Sequence, residues 1–363
     1  MTKTPPVAGR RLRVLIVDDS LFMRAAIAKT LASGPFEVVG QAKDGKEALA
    51  LITQLKPDVI TMDFNMPGMN GAETVRAVMQ QQPTPVVMFS AHTKQGAKET
   101  FDALAAGAVD FVTKPAGEVS TDLSKIAEEL ARKLLAASHA RPRAAPAAEP
   151  PTRASGQFLA ARTMPGLGVG VGGTPLPGAT PRLCVIGIST GGPAALSEVI
   201  PALPSDLKLA IVVVQHMPAG FTQAFAERLD SLSKVSVREA QHGDKPLAGS
   251  VLIAPGDKHL EFDERGHVTL TDGPMVNGCR PAADVTMTSA AKVYGRRAIA
   301  VVMTGMGKDG AAGALAIKRA DGKTMAQDQT TSVIYGMPKA AVDAGAINEV
   351  AALGDIATWL RYA

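Results

Sequence analysis

Short apolar runs alternate with amphipathic segments over the first third of the chain. The runs RVLIVDD (13–19), EVVGQA (37–42), DVITMD (58–63), PVVMFS (85–90) and DFVTK (110–114) are rich in β-branched residues and read as strands. LFMRAAIAKTLA, KEALALITQL, GAETVRAVMQ, KETFDALAAG and LSKIAEELARKLLAA carry apolar residues every three or four positions and read as helices. Five such units in about 125 residues predict a five-stranded parallel sheet with helices on both faces.

The rhythm stops between 138 and 181, where Pro, Ala and Gly dominate without a helical or alternating period. Such a segment cannot bury enough apolar surface to offset its ordering entropy and reads as a flexible linker. A short ordered piece is expected within it around Gln157 to Ala161. The pattern resumes with LCVIGIS, LAIVVVQH, VSVREA, GSVLIAP, RAIAVVMTG and KTMAQD, interrupted by a hairpin, HLEFDERGHVTLTD, turning at Arg265-Gly266. A second α/β domain follows from this, doubly wound and mostly parallel, with an antiparallel hairpin. The expected division is a disordered N-terminus (1–10), a first domain (11–137), the linker (138–181) and a second domain (182–363).

Composition narrows the class. The net charge is +4, and the linker region from Ser138 to Arg182 accounts for it, with five arginines against Glu149. Both folded parts are balanced, so the charge argues against a nucleic-acid partner. No run reaches the roughly 18 apolar residues of a membrane helix, and the start has no leader-like stretch. Cys184 and Cys279 form neither a metal nor a disulfide pattern, and Cys184 reads as a buried reduced thiol. These features point to a cytoplasmic protein that does not sit in a membrane, with nothing to suggest more than a monomer.

In an open parallel sheet, ligands gather at the carboxyl ends of the strands. In the first domain those ends carry Asp18, Asp19, Asp63, Ser90 and Lys114. Carboxylates crowded there need a cation: Asp19, Asp63 and a backbone carbonyl near Asn65, beside Asp18, suit Mg²⁺. Ser90 and Lys114 are placed to hold the oxygens of a phosphoryl group on Asp63. With DDS, D-x-x-M-P-x-M-x-G, a strand-end Ser and K-P in order, the segment resembles a response-regulator receiver domain, flavodoxin-like in fold. The resemblance implies phosphorylation of Asp63 by a histidine kinase and a switch of Ser90 with an aromatic, Phe111.

The second domain opens on GISTGGPAAL (187–196), a glycine-rich strand-to-helix turn that suits either a phosphate or a nucleophile. No Lys-Ser or Lys-Thr follows Gly192, and Ser189 stands where a dinucleotide fingerprint needs glycine, so phosphate binding is disfavoured. A nucleophilic Ser189 needs a base and a group to orient it. His216 ends the next strand, and Asp309 lies in GMGKDG after RAIAVVMT, so all three converge on one sheet edge. His259 is the rival base. Ser189 and Asp309 as helix caps and His216 as a structural histidine are the bland readings. With Pro193 early in the helix, free backbone N–H groups near Thr190 to Gly192 are expected to help stabilise an oxyanion.

GISTGGP, VVVQHMP, VLIAPGDKHL, NGCRPAADV, VVMTGMGKDG and AQDQTTSVIYGMPKAA together resemble the catalytic domain of CheB-type protein-glutamate methylesterases, and receiver–linker–hydrolase order is that family's architecture. The resemblance implies Ser189, His216 and Asp309 as the triad, Thr190 and Met306 beside the oxyanion, and Arg280 along the substrate groove. It implies demethylation of glutamate esters and deamidation of glutamines on chemoreceptors, with the kinase as phosphodonor. It further implies Mg²⁺ in the receiver and no cofactor in the hydrolase. Thr286-Met287 departs from the family's bulkier apolar pair. Two other functions stay open: a non-catalytic second domain serving as a binding scaffold, and hydrolysis of some other ester or amide.

Overall fold

The computed structural model describes residues 10–91, 93–114, 123–140 and 182–363. The expected N-terminal tail and, beyond Ala140, the linker with its piece at 157–161 lie outside them.

The first sheet holds β1 (Leu12–Val17), β2 (Phe36–Ala42), β3 (Val59–Asp63), β4 (Val86–Ser90) and β5 (Asp110–Thr113), all parallel in the order β2-β1-β3-β4-β5. Its helices are α1 (Leu21–Ala32), α2 (Gly45–Leu55), α3 (Gly71–Gln81), α4 (Lys94–Ala105) and α5 (Leu123–Ser138). β3 and β4 are buried at every position, as strands covered on both faces must be. Helix starts are set by Ser20, Asp44, Asn70 and Thr93, whose side chains accept the otherwise unpaired first-turn N–H groups. The strand order reverses between β1 and β3, which opens a crevice at their carboxyl ends.

The second sheet has seven parallel strands. They are β6 (Arg182–Ile188), β7 (Leu209–Gln215), β8 (Ser236–Glu239), β9 (Ser250–Ile253), β12 (Ala298–Val302), β13 (Lys323–Gln327) and β14 (Glu349–Ala351). Their order is β14-β13-β12-β6-β7-β9-β8, and β10 (His259–Phe262) with β11 (Val268–Thr271) forms the antiparallel hairpin. Around them pack α6 (Gly192–Val199), α7 (Phe221–Leu232), α8 (Ala283–Tyr294), α9 (Ala311–Arg319), α10 (Met337–Asp343) and α11 (Leu353–Tyr362). β6 is central, with β7 on one side and β12 on the other. The chain therefore leaves the sheet at three adjacent strand ends, after Ile188, Gln215 and Val302.

The first sheet is as the apolar pattern predicts, and the second adds to the six expected strands a short, largely exposed edge strand, β14. Cys184 is fully buried in β6, and burial pushes its thiol well up, in keeping with an inert reduced residue. Thr286 on α8 is buried with its hydroxyl on the Leu260 carbonyl at 2.7 Å, so its departure from an apolar residue ties α8 to the hairpin. Among the described residues no helix is long and apolar enough to cross a membrane.

One apolar cluster runs across both sheets. Phe101 on α4 stacks on Phe225 of α7 with ring centroids 5.2 Å apart, and Phe111 on β5 stacks on Phe221 at 4.7 Å. Arg228 on α7 pairs with Asp102 on α4 at 2.9 Å at the rim. The α4/β5 face of the first unit is thus seated on α7 of the second.

Candidate active site

β6 ends in a tight elbow. Gly191 takes a left-handed conformation (φ 79°) as the N-cap of α6, and Pro193 sits in the first turn, where its missing N–H costs nothing. Ser189 is held on both sides: its N–H donates to the Thr304 carbonyl at 2.9 Å, and its carbonyl accepts from Gln215 Nε2 at 3.0 Å. Gln215 also donates to the His216 carbonyl at 3.2 Å, so one buried amide joins the elbow to the end of β7. There is no room for a side chain at Gly192, where a Cβ would lie 2.0 Å from Gln215 Oε1. Gly192→Ala should therefore displace Gln215 and misalign Ser189. A stability loss of about 1–3 kcal/mol by thermal unfolding is expected, together with slower labelling of Ser189 by an organophosphonate.

His216 and Asp309 meet as the strand order requires. Nε2 of His216 lies 2.7 Å from Asp309 Oδ2. Oδ2 also accepts from the Ala283 N–H at 2.6 Å; Oδ1 accepts from the Asp284 N–H at 3.0 Å and Asn277 Nδ2 at 3.1 Å. The first turn of α8 thus grips the carboxylate. Burial works against its charge, but the His216 partner and the backbone donors outweigh it and hold Asp309 below the usual range. For His216, burial disfavours the cation, yet hydrogen bonds with Asp309 and Cys279 push the imidazole up to about 9.

Ser189 is not joined to this pair: among the described residues its hydroxyl makes no hydrogen bond, and His216 Nδ1 faces Cys279 Sγ at 3.5 Å. Asp309 thus takes Nε2, and among the described residues Nδ1 has only the long sulfur contact. The Thr190 and Met306 N–H groups likewise make no hydrogen bond among the described residues, and Met306 is exposed. Thr304 Oγ1 fixes the elbow by donating to the Thr190 carbonyl at 3.0 Å. Gly305 lies against Ser189, where a Cβ would come within 2.8 Å of the serine's own.

The remaining residues separate. His259 lies in β10 with Nε2 on the Pro274 carbonyl at 3.0 Å, buried at the hairpin and away from the strand ends, which is a structural histidine's environment. Arg280 has its guanidinium engaged, on Asp257 Oδ1 at 2.6 and 3.0 Å and on the carbonyls of Asp272 (3.2 Å) and Gly273 (2.9 Å). It braces the loop beside Cys279.

At the first sheet's crevice, Asp18, Asp19 and Asp63 bring carboxylate oxygens within 4.8 Å of one another. Lys114 Nζ bridges Asp63 at 2.9 Å and Asp18 at 3.1 Å. Burial pushes Asp63 up to about 6, with Lys114 pulling down and Asp18 pushing up. Such a crowded acidic oxygen set suits a hard divalent cation. Asn65 donates from Nδ2 to Glu99 on α4 at 3.3 Å. Ser90 is buried and points to α4, donating to the Gly96 carbonyl at 3.1 Å and accepting from Thr100 Oγ1 at 2.7 Å. The same helix carries Phe101 and Asp102 onto α7. A cleft of about 830 Å³ runs between the units from Leu104 and Ala108 to Gly191 and Thr304 beside Ser189.

The sequence reading missed Gln215, Asn277, Asp284 and Thr304 as site supports. Of these, only Gln215, a polar residue closing the apolar run IVVV, carried a signal.

The CheB methylesterase family model matches residues 184–360, and the response regulator receiver domain model matches 14–124. A protein-glutamate methylesterase/protein-glutamine glutaminase of Symbiobacterium thermophilum is 47% identical over 350 residues, covering 96% of each chain. One from Pyrococcus abyssi is 44% identical over 356 residues, covering 97% of this chain and 93% of that one. The crystal structure of the Thermotoga maritima CheB methylesterase catalytic domain is 43% identical, covering 51% of this chain and 99% of that chain, with a TM-score of 0.49.

Proposed function

The chain belongs to the CheB methylesterase family, and on that premise we propose a division of labour between residues 11–137 as receiver and 182–363 as hydrolase. It is a protein-glutamate methylesterase and protein-glutamine glutaminase regulated by phosphorylation of its receiver. The observation that carries the site assignment is the 2.7 Å His216–Asp309 pair at the strand end next to the Ser189 elbow.

Ser189 Oγ attacks the side-chain carbonyl of a methylated glutamate, and its proton passes to His216 Nδ1. The oxyanion is met by the Thr190 and Met306 N–H groups. His216 returns the proton to the leaving methoxide, and methanol departs. Water then attacks the acyl-serine, with His216 again taking the proton, and glutamate is released. With glutamine as substrate the same steps expel ammonia. Asp309 holds Nε2–H and so keeps Nδ1 as the basic nitrogen. Arg280 acts through the loop it braces along the groove. No cofactor is needed for these steps.

In the receiver, Asp18, Asp19, Asp63 and the Asn65 backbone would hold Mg²⁺, which neutralises charge when Asp63 is phosphorylated. Ser90 and Lys114 are placed for the phosphoryl oxygens. Drawing Ser90 toward Asp63 pulls on its Gly96 and Thr100 partners, hence on α4, and loosens the Phe101–Phe225 and Phe111–Phe221 stacks. The unphosphorylated receiver obstructs the cleft that ends at Gly191. Partners of this reading are a histidine kinase and the cytoplasmic helices of chemoreceptors, in the cytoplasm, with no nucleic acid.

Arg228→Glu places like charges at the rim, opposite Asp102. Activity without phosphodonor should rise about two- to fivefold, and Asp102→Arg in the same chain should reverse it. The acidity of His216 gives a second expectation: a neutral base is required, so kcat/KM should climb from pH 7 and level off above about 9. Because the folded value lies above the ordinary 6.5, the stability His216 contributes is complete below pH 6.5 and lost as pH rises through about 9.

The direct test incubates receptor membranes carrying radiolabelled methyl esters with the full chain. Methanol release is expected; no release at any phosphodonor concentration would overturn the activity.

A further inference from the structure

We propose that Cys279 is a positioning residue of the hydrolase, its sulfur occupying the Nδ1 side of His216 in the resting chain and yielding to Ser189 when the site becomes competent. The proposal rests on the reading of Ser189 as nucleophile.

Both ring nitrogens of His216 have partners, Asp309 at 2.7 Å and Cys279 Sγ at 3.5 Å, and neither is Ser189. The cysteine is half-buried and firmly placed. Val276 and Cys279 exchange both backbone hydrogen bonds, at 2.9 and 3.1 Å, around Asn277 (φ 53°) and Gly278 (φ 75°). Two left-handed central residues make this the tight two-residue turn of a hairpin. Asn277 anchors it by donating to Asp309 Oδ1 at 3.1 Å and Asp284 Oδ2 at 2.8 Å. Arg280 pins the other side through Asp257. The same turn therefore sets the triad carboxylate and aims the sulfur at the triad imidazole.

An imidazolium donates from Nδ1 to a sulfur acceptor, and that contact favours the protonated ring, which cannot act as a base. The titratable groups around His216 are Asp309 after β12, Cys279 in the turn and, behind Asn277, Asp284 on α8. Asp309 and Cys279 both favour the cation. Sulfur is a weak acceptor, so a serine hydroxyl held in place by substrate can displace it. The thiol thus keeps the base idle without sealing the site.

The test measures the rate at which a fluorophosphonate labels Ser189 in the full chain, with the modified residue identified by mass spectrometry. Cys279→Ala and Cys279→Val both remove the acceptor, and valine keeps the side-chain bulk should alanine fail to fold. Either is expected to label about three- to tenfold faster at pH 7, with the midpoint of the pH–rate profile below that of the wild type. Cys279→Ser puts a stronger acceptor in the same place and should label no faster than the wild type; labelling as fast as in the Ala variant would overturn the acceptor role. Unchanged rates and midpoint, or slower labelling, in the folded Ala or Val variant would overturn the role of Cys279 alone. Absence of label on Ser189 in the wild type would overturn the nucleophile and this proposal with it.

Discussion

Ser189→Ala is expected to lower phosphodonor-stimulated methanol release on the order of 10⁵- to 10⁶-fold in kcat. The neighbouring hydroxyl of the elbow, on Thr190, belongs to a buried residue whose backbone is fixed by Thr304, so it is not placed to replace the serine. Binding of the receptor should be little affected, because the groove and the oxyanion donors remain. Stability should not change either, since the serine hydroxyl makes no hydrogen bond among the described residues. Loss of turnover at constant thermal midpoint is therefore the signature, and a fall below tenfold would remove Ser189 from the chemistry.

Asp309→Asn comes next, with a loss on the order of 10⁴-fold and a cost to the fold as well. Oδ2 accepts from His216 and Ala283, and Oδ1 accepts from Asn277 and Asp284. Whichever way the carboxamide turns, its NH₂ faces two donors where an oxygen stood. One backbone N–H of the first turn of α8 then loses its acceptor, at about 1–3 kcal/mol. With the NH₂ on the Oδ2 side, the imidazole also loses the acceptor that fixes its tautomer. Turnover and unfolding midpoint should fall together, in contrast to Ser189→Ala.

These contrasts reflect what a linear sequence can carry. Strand ends are legible because apolar runs stop abruptly, so Ser189, His216 and Asp63 could be placed on sheet edges before any contact was known. Their convergence follows from strand order, which parallel βα units strongly restrict. The turn 276–279 is a different matter. NGCR has no period, and Asn277 and Cys279 gain their roles only when the loop after the β10–β11 hairpin folds back on the β12 end. β14, three residues long and largely exposed, gives no apolar run to read. The seating of the receiver was equally hidden. Phe101 and Phe225 look like any core-facing helical residues, and nothing in their spacing tells an intradomain stripe from a surface that packs on another sheet. The receiver resemblance implies Phe111 as a switch aromatic; that its ring rests on Phe221 is a fact of three-dimensional packing.

That contact makes the receiver and the hydrolase one device. Ser90 is hydrogen-bonded to α4, and α4 packs on α7; in the proposed mechanism a phosphoryl group on Asp63 acts through these contacts on the rim of the cleft beside Gly191. The most direct test is the initial rate of methanol release from methyl-labelled receptor membranes by the full chain, with and without a small-molecule phosphodonor, in wild type and Asp63→Asn. The account expects the donor to raise the wild-type rate at least tenfold and to leave the Asp63→Asn rate at the unstimulated level. Equal wild-type rates with and without donor, or equal stimulation of Asp63→Asn, would contradict it.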